Sequence, residues 1–172
     1  MNMKKSYFGA AIVLVFSLAM GISGCATSQL SKAEKAEQQA RVAKAVDDSI
    51  STRSFTVEVN YVNPQRMSAR SLSYGYGVKI KDGNVIESYL PFFGQVHRAE
   101  FGEQTGLNFT DKIEHFQASR VKKDRYAVEL IVRRKMERLV YRFDIFDNGK
   151  VTFTVNSDNR DSMHFTGEML LD

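Results

Sequence analysis

The residues of this chain best suited to chemistry are a single cysteine, Cys25, and three histidines, His97, His115 and His164. Cys25 closes the run Ile22-Ser23-Gly24-Cys25, an apolar residue, two small residues and a cysteine, which is the pattern of a bacterial lipobox. The chemistry expected there is transfer of diacylglycerol to the thiol, cleavage of the chain before Cys25 and acylation of the freed amine. Small residues suit it because the backbone must enter a peptidase site. An acylated thiol is neither a nucleophile nor a metal ligand, so cysteine catalysis and cysteine-held metal are excluded. His97-Arg98-Ala99-Glu100 sets a base near a carboxylate, and with it comes a rival reading: a hydrolase acting on an envelope polymer, served by His97 and Glu100 or by a histidine with a nearby aspartate. In an irregular stretch this H-x-x-E reads first as a polar loop. No G-x-S-x-G, H-E-x-x-H, Walker or G-x-G-x-x-G pattern occurs, and no carboxylate pair stands out. The expectation is a protein that is not an enzyme and holds no cofactor or metal.

The elements around Cys25 fit its role. Lys4 and Lys5 precede an apolar run over residues 8–20, shorter than the roughly 20 residues a bilayer span needs, so residues 1–24 read as a signal peptide. Residues 25–30 then form the lipidated cysteine and a polar tether. Each buried methylene contributes ~0.8 kcal/mol, so two or three acyl chains bind the membrane durably. The net charge of +4 falls to +2 once Lys4 and Lys5 are removed, leaving 22 basic against 20 acidic residues, and nothing then calls for nucleic acid. Ala26-Thr27-Ser28-Gln29 carries no acidic residue, which favours the outer membrane, facing the periplasm, as the address.

Residues 31–50 read as a helix, with Ser31 and Glu34 as a capping box and Ala36, Ala40, Ala43, Val46 and Ile50 as a thin apolar stripe. Residues 51–172 read as one antiparallel β domain. Phe55, Val57, Val59 and Tyr61 alternate with polar residues until Asn63-Pro64, and Tyr74, Tyr76, Val78 and Ile80 do so until the turn Asp82-Gly83-Asn84, which opens a hairpin onto residues 85–90. Further strands are expected over 113–121, 126–133, 139–146, 151–156 and 162–169, joined by loops too short for anything but antiparallel neighbours. The fold class is therefore mainly β: a meander curled into a half-barrel or barrel, preceded by one helix that is placed to cover its concave side.

Tyr89-Leu90-Pro91-Phe92-Phe93-Gly94 breaks the alternation. Pro91 cannot donate to a sheet and Gly94 can turn sharply, so Tyr89, Pro91, Phe92 and Phe93 form a candidate binding surface beside the concavity. The competing reading has Phe92 and Phe93 plug an end of the sheet. Arg133, Arg134, Lys135, Arg138 and Arg142 concentrate positive charge that could meet anionic lipid, or simply keep a hairpin solvated.

Together with Asn60-Tyr61-Val62-Asn63-Pro64-Gln65-Arg66, Tyr74-Gly75-Tyr76, Asn148-Gly149, Val155-Asn156-Ser157, Asn159-Arg160 and Phe165-Thr166-Gly167, that segment resembles the DUF4251 family of Bacteroidetes-type lipoproteins, over residues 50–172. The family-like pattern favours a tyrosine after the proline, where this chain has Phe92. The resemblance implies an envelope lipoprotein of mostly β structure and transfers no catalytic residue. The expected function is that of a membrane-tethered, non-catalytic binding module for a small apolar ligand or an envelope partner, with a purely structural envelope role as the other non-enzymatic reading.

Overall fold

A computed structural model of the chain describes residues 31–97, 106–134 and 137–171. The expected signal peptide, Cys25 with its tether, Glu100 and Lys135 lie outside the described residues. The chain divides into two compact units, Met1–Lys35 and Ala36–Asp172, and of the first only the opening turn of the helix is described.

Helix α1 (Lys32–Ser51) starts at the capping box read from the sequence. The Glu34 N–H donates to Ser31 Oγ at 3.2 Å and the Ser31 N–H donates to Glu34 Oε2 at 2.7 Å, so two free donors are satisfied at once. The helix stops without a glycine. Arg53 takes the left-handed conformation (φ 55), its N–H reaches the Ile50 carbonyl, and the Ser54 N–H reaches the Ser49 carbonyl, which is a Schellman cap. Only Val46 and Ile50 are buried, each stabilising by about 1.5–3 kcal/mol, at the last turns where the helix meets the domain.

The strands are β1 (Phe55–Pro64), β2 (Arg70–Ser71), β3 (Gly77–Lys81), β4 (Val85–Leu90), β5 (Leu107–Lys122), β6 (Arg125–Arg134), β7 (Glu137–Phe146), β8 (Lys150–Ser157) and β9 (Met163–Leu170). From β3 to β9 each pairs antiparallel with the next, β3 and β9 both pair with β1, and an eight-stranded barrel closes, with two-residue β2 beside the far half of β1. The expected hairpin at Asp82-Gly83-Asn84 has left-handed Asp82 (φ 51) and Gly83 (φ 64), the pair a type I′ turn requires.

Two glycines flank β1 and let the barrel close. A side-chain carbon at Gly167 would lie 2.0 Å from the Glu58 carbonyl oxygen, and one at Gly77 would lie 2.5 Å from that of Val57. Neither neighbour can retreat, because both are backbone in paired strands.

The structure corrects the sequence reading in two places. Tyr74 and Tyr76 are not strand residues: the chain leaves the sheet between Leu72, whose N–H donates to the Asn60 carbonyl, and Tyr76, whose carbonyl accepts from Val59. Gly75 (φ 101) makes that excursion possible and leaves Tyr74 95 % exposed. The strand expected from residue 113 begins at Leu107, because Asp111 interrupts the apolar alternation of Leu107, Phe109 and Ile113 and hides it; Asp111 is matched by Arg134 at 3.4 Å. The concave side, whose filling the sequence reading left open, is occupied by aromatic side chains. Tyr141, Phe143, Phe153 and Phe165 fill it as a stacked row with centroids 6.2, 4.7 and 5.1 Å apart, and Phe55 meets Phe143 edge-on at 6.0 Å. Burial pushes the Tyr141 hydroxyl pKa well up, and its hydrogen is given to Ser88 Oγ at 3.1 Å.

Candidate binding surface

The strand β4 presents residues alternately inward and outward, and its last two positions set the geometry of the segment after it. Leu90 points in and is fully buried, whereas Tyr89 points out and is 55 % exposed. Pro91 ends the ladder. Phe92 and Phe93 then fold back against the core, each beneath a guanidinium: Arg160 stands 5.2 Å from the Phe92 ring centre and Arg70 stands 4.5 Å from that of Phe93. The four residues expected to share one surface are thus divided between two places, Tyr89 on the outer wall and Phe92 with Phe93 at the barrel end.

That end is tied down by charge. Arg160 donates to both oxygens of Glu137 at 2.6 and 2.7 Å out of water, and the half-buried Ser157 Oγ donates to Glu137 Oε1 at 2.6 Å. Next in sequence, Asp161 receives the Gln95 N–H at 3.0 Å, lies 3.1 Å from His97 Nε2, and pairs with Arg66 at 3.2 Å. The Gln95 N–H holds the Asp161 carboxyl below the usual range, burial opposes this, and Arg66 and His97 reinforce it. A bridge between Val96 and Arg160 completes the tie.

His97 therefore has an aspartate partner, but that carboxylate is shared with a backbone amide and an arginine, an arrangement that fixes a loop. His164, near the same end, points outward and meets Thr154 Oγ1 at 2.9 Å on the outside of the sheet, and His115 is an exposed residue of β5. Three of the arginines in this region are matched: Arg133 with Glu114 and Arg134 with Asp111 at the β6–β7 join, and Arg142 with Glu129 further along the ladder. Among the described residues no cluster of histidine and carboxylate side chains is arranged to hold a metal ion, and no helix is long and apolar enough to cross a membrane.

The outer wall around Tyr89 is a different kind of surface. Register across five strands places Glu168, Glu58, Gly77, Tyr89 and Asn108 in one row, and Leu170, Thr56, Lys79, Glu87 and Thr110 in the next. Gly77 leaves the centre of the first row without a side chain, and the result is a depression of ≈ 660 Å³. Tyr76, freed from the sheet by the excursion at Gly75, lays its ring against Tyr89 with centroids 5.4 Å apart and planes 13° from parallel. An adjoining hollow of ≈ 360 Å³, bordered by Tyr74, Leu72 and Asn60, shares Glu58 with the first. Glu58 and Glu168 stand directly opposite one another, an arrangement of like charges that disfavours the sheet by itself. Flat aromatic rings, an amide, hydroxyls and two carboxylates with no ion-pair partner among the described residues suit recognition of a partner that brings positive charge; they do not assemble an acid, a base and a nucleophile.

Sequence reasoning missed Gly77, Glu58, Tyr76 and Asn108. The one signal that points to them is the pair of glycines, Gly75 and Gly77, inside an otherwise good strand pattern, since glycine in a strand marks a bulge or a close approach.

A family model described as domain of unknown function DUF4251 matches residues 35–169. A crystal structure of a DUF4251 family protein from Bacteroides eggerthii DSM 20697 has the same fold, with a TM-score of 0.57 and 15 % identity over 78 % of this chain and 92 % of that one. No curated protein matches the chain.

Proposed function

This chain belongs to the DUF4251 family, a domain of unknown function, and from that premise we propose that it is a lipid-anchored envelope protein that works by holding another envelope protein against the outer wall of its barrel. The observation that carries this reading is the Tyr76–Tyr89 stack beside the bare backbone of Gly77: an exposed Tyr89 ring backed by the half-buried ring of Tyr76, next to a hollow large enough for a partner's side chains. Tyrosine supplies wide contact area at small entropic cost, which is why it recurs at interface centres. The facing Glu58 and Glu168 add a preference for a partner carrying lysine or arginine there.

The anchor is Cys25, joined through its polar tether to α1 and the barrel, and the membrane in question is the outer membrane on its periplasmic side. An apolar small ligand is a poor fit for the interior, which the aromatic row occupies. Catalysis has no support from the histidines, since the His97 partner Asp161 is committed to Gln95 and Arg66.

Two double variants test the reading. Tyr76→Ser with Tyr89→Ser should fold normally and lose the protein partner recovered by chemical cross-linking of intact envelopes. Phe92→Ser with Phe93→Ser should instead lower the melting temperature, because those rings cover the barrel end. A folded Tyr76/Tyr89 variant that keeps every partner of the parent would remove the outer wall from consideration.

A further inference from the structure

Closure of the barrel leaves one long stretch of sheet edge. Strand β5 is covered by β4 only over residues 107–112, with the Ile113 N–H reaching the Asn84 carbonyl, whereas β6 covers its other side as far as Lys122. Among the described residues no strand pairs with the β4-side edge of β5 beyond Ile113. A strand edge of this kind is a row of unpaired N–H and C=O groups, and proteins ordinarily protect it with lysine, proline or bulges. Here the bulges fall at Glu114 and Val121, at the two ends, and the run between them, residues 115–120, is regular, free of proline and exposed at Gln117, Ala118 and Ser119.

The side chains along that edge complement themselves. Setting Ala118 against Ala118 of a second, antiparallel copy puts Glu114 opposite Lys122 and Gln117 opposite Ser119, and the two-fold axis repeats each match; Phe116 and Arg120, which also fall opposite one another, are engaged within their own chain by the core and by Asp147. The charges that would discourage an unrelated strand become the pairs that set this register. Glu114 also contacts Arg133 of its own hairpin at 3.3 Å, but both side chains are at least half exposed, so the carboxylate keeps room for a second cation. Val121, 48 % exposed, gains cover against His115.

We infer that two copies of this chain pair through the free edge of β5, joining their barrels into one continuous antiparallel sheet centred on Ala118. This edge is separate from the Tyr89 wall, and the two readings stand or fall independently. The full chain, extracted from membranes in mild detergent, should have the protein mass of a dimer by light scattering. Glu114→Lys and Lys122→Glu should each weaken association, roughly tenfold because like charges then face each other twice, and the two together should restore it. Ala118→Pro should give a folded monomer, checked by circular dichroism, and Tyr89→Ser should leave the mass unchanged. A monomeric parent, single reversals that do not weaken the dimer, or a charge-swapped double variant as weak as either single would each overturn the inference.

Discussion

The Arg160 guanidinium meets the Glu137 carboxylate through two hydrogen bonds of 2.6 and 2.7 Å, and each side chain retains only 8 % of its exposure. A pair so enclosed is held in place by the cost of separating it. Removing one partner strands a charge without water, whereas removing both leaves an apolar gap. Glu137→Ala should therefore lower unfolding free energy by about 3–5 kcal/mol in urea titration. Glu137→Leu combined with Arg160→Met should recover most of that loss; a double variant no better than the single would show that the pair contributes by more than mutual neutralisation.

Asp161 links the same barrel end to pH. Its folded-state pKa is depressed, chiefly by the Gln95 N–H, so the folded protein binds fewer protons there than the unfolded chain does. The stability it contributes is fully present above the unfolded value near pH ~3.9 and is lost as pH falls through the folded value. The difference in unfolding free energy between the parent and Asp161→Asn should be constant near neutrality and shrink below about pH 4. A difference that grows on acidification would have the wrong sign.

Gly167 sits where β9 crosses the β1 bulge between Val59 and Tyr61, and its backbone faces the Glu58 carbonyl with no room for a further carbon. Gly167→Ala should cost at least about 3 kcal/mol, the upper end of overpacking penalties, or prevent folding. Full stability of this variant by thermal denaturation would mean that the β1–β9 seam is looser than described.

Replacing Cys25 should separate address from fold. Cys25→Ala is expected to leave an uncleaved precursor or a soluble periplasmic form, with the circular dichroism of the barrel intact. A variant that fractionates with membranes as the parent does would refute lipid anchoring at this residue.

Much of this fold can be read from local pattern, and the unread parts share a cause. The alternation of Leu139, Tyr141, Phe143 and Ile145 fixes which face of β7 is core, and Ser31 with Glu34 marks the start of α1, because each signal lies within a few residues. Barrel closure depends instead on pairs such as Val57 with Met169 and Val62 with Phe165, which no local period encodes. The candidate surface was half legible for the same reason. Tyr89 and Phe92 are near neighbours in sequence, but strand alternation turns the first outward, and Arg160, far along the chain, draws the second in. Asp111 hid the beginning of β5 because its partner, Arg134, lies on the next strand.

Photo-cross-linking from residue 89 tests the outer-wall reading most directly. A benzophenone amino acid placed at Tyr89, and separately at Thr152 on another part of the outer wall, would be irradiated in intact cells carrying the full chain. The account predicts a discrete cross-linked protein from position 89, absent from position 152, and diminished by Glu58→Lys with Glu168→Lys. Equal cross-linking from both positions, or none from position 89 in a protein that is folded and membrane-bound, would contradict it.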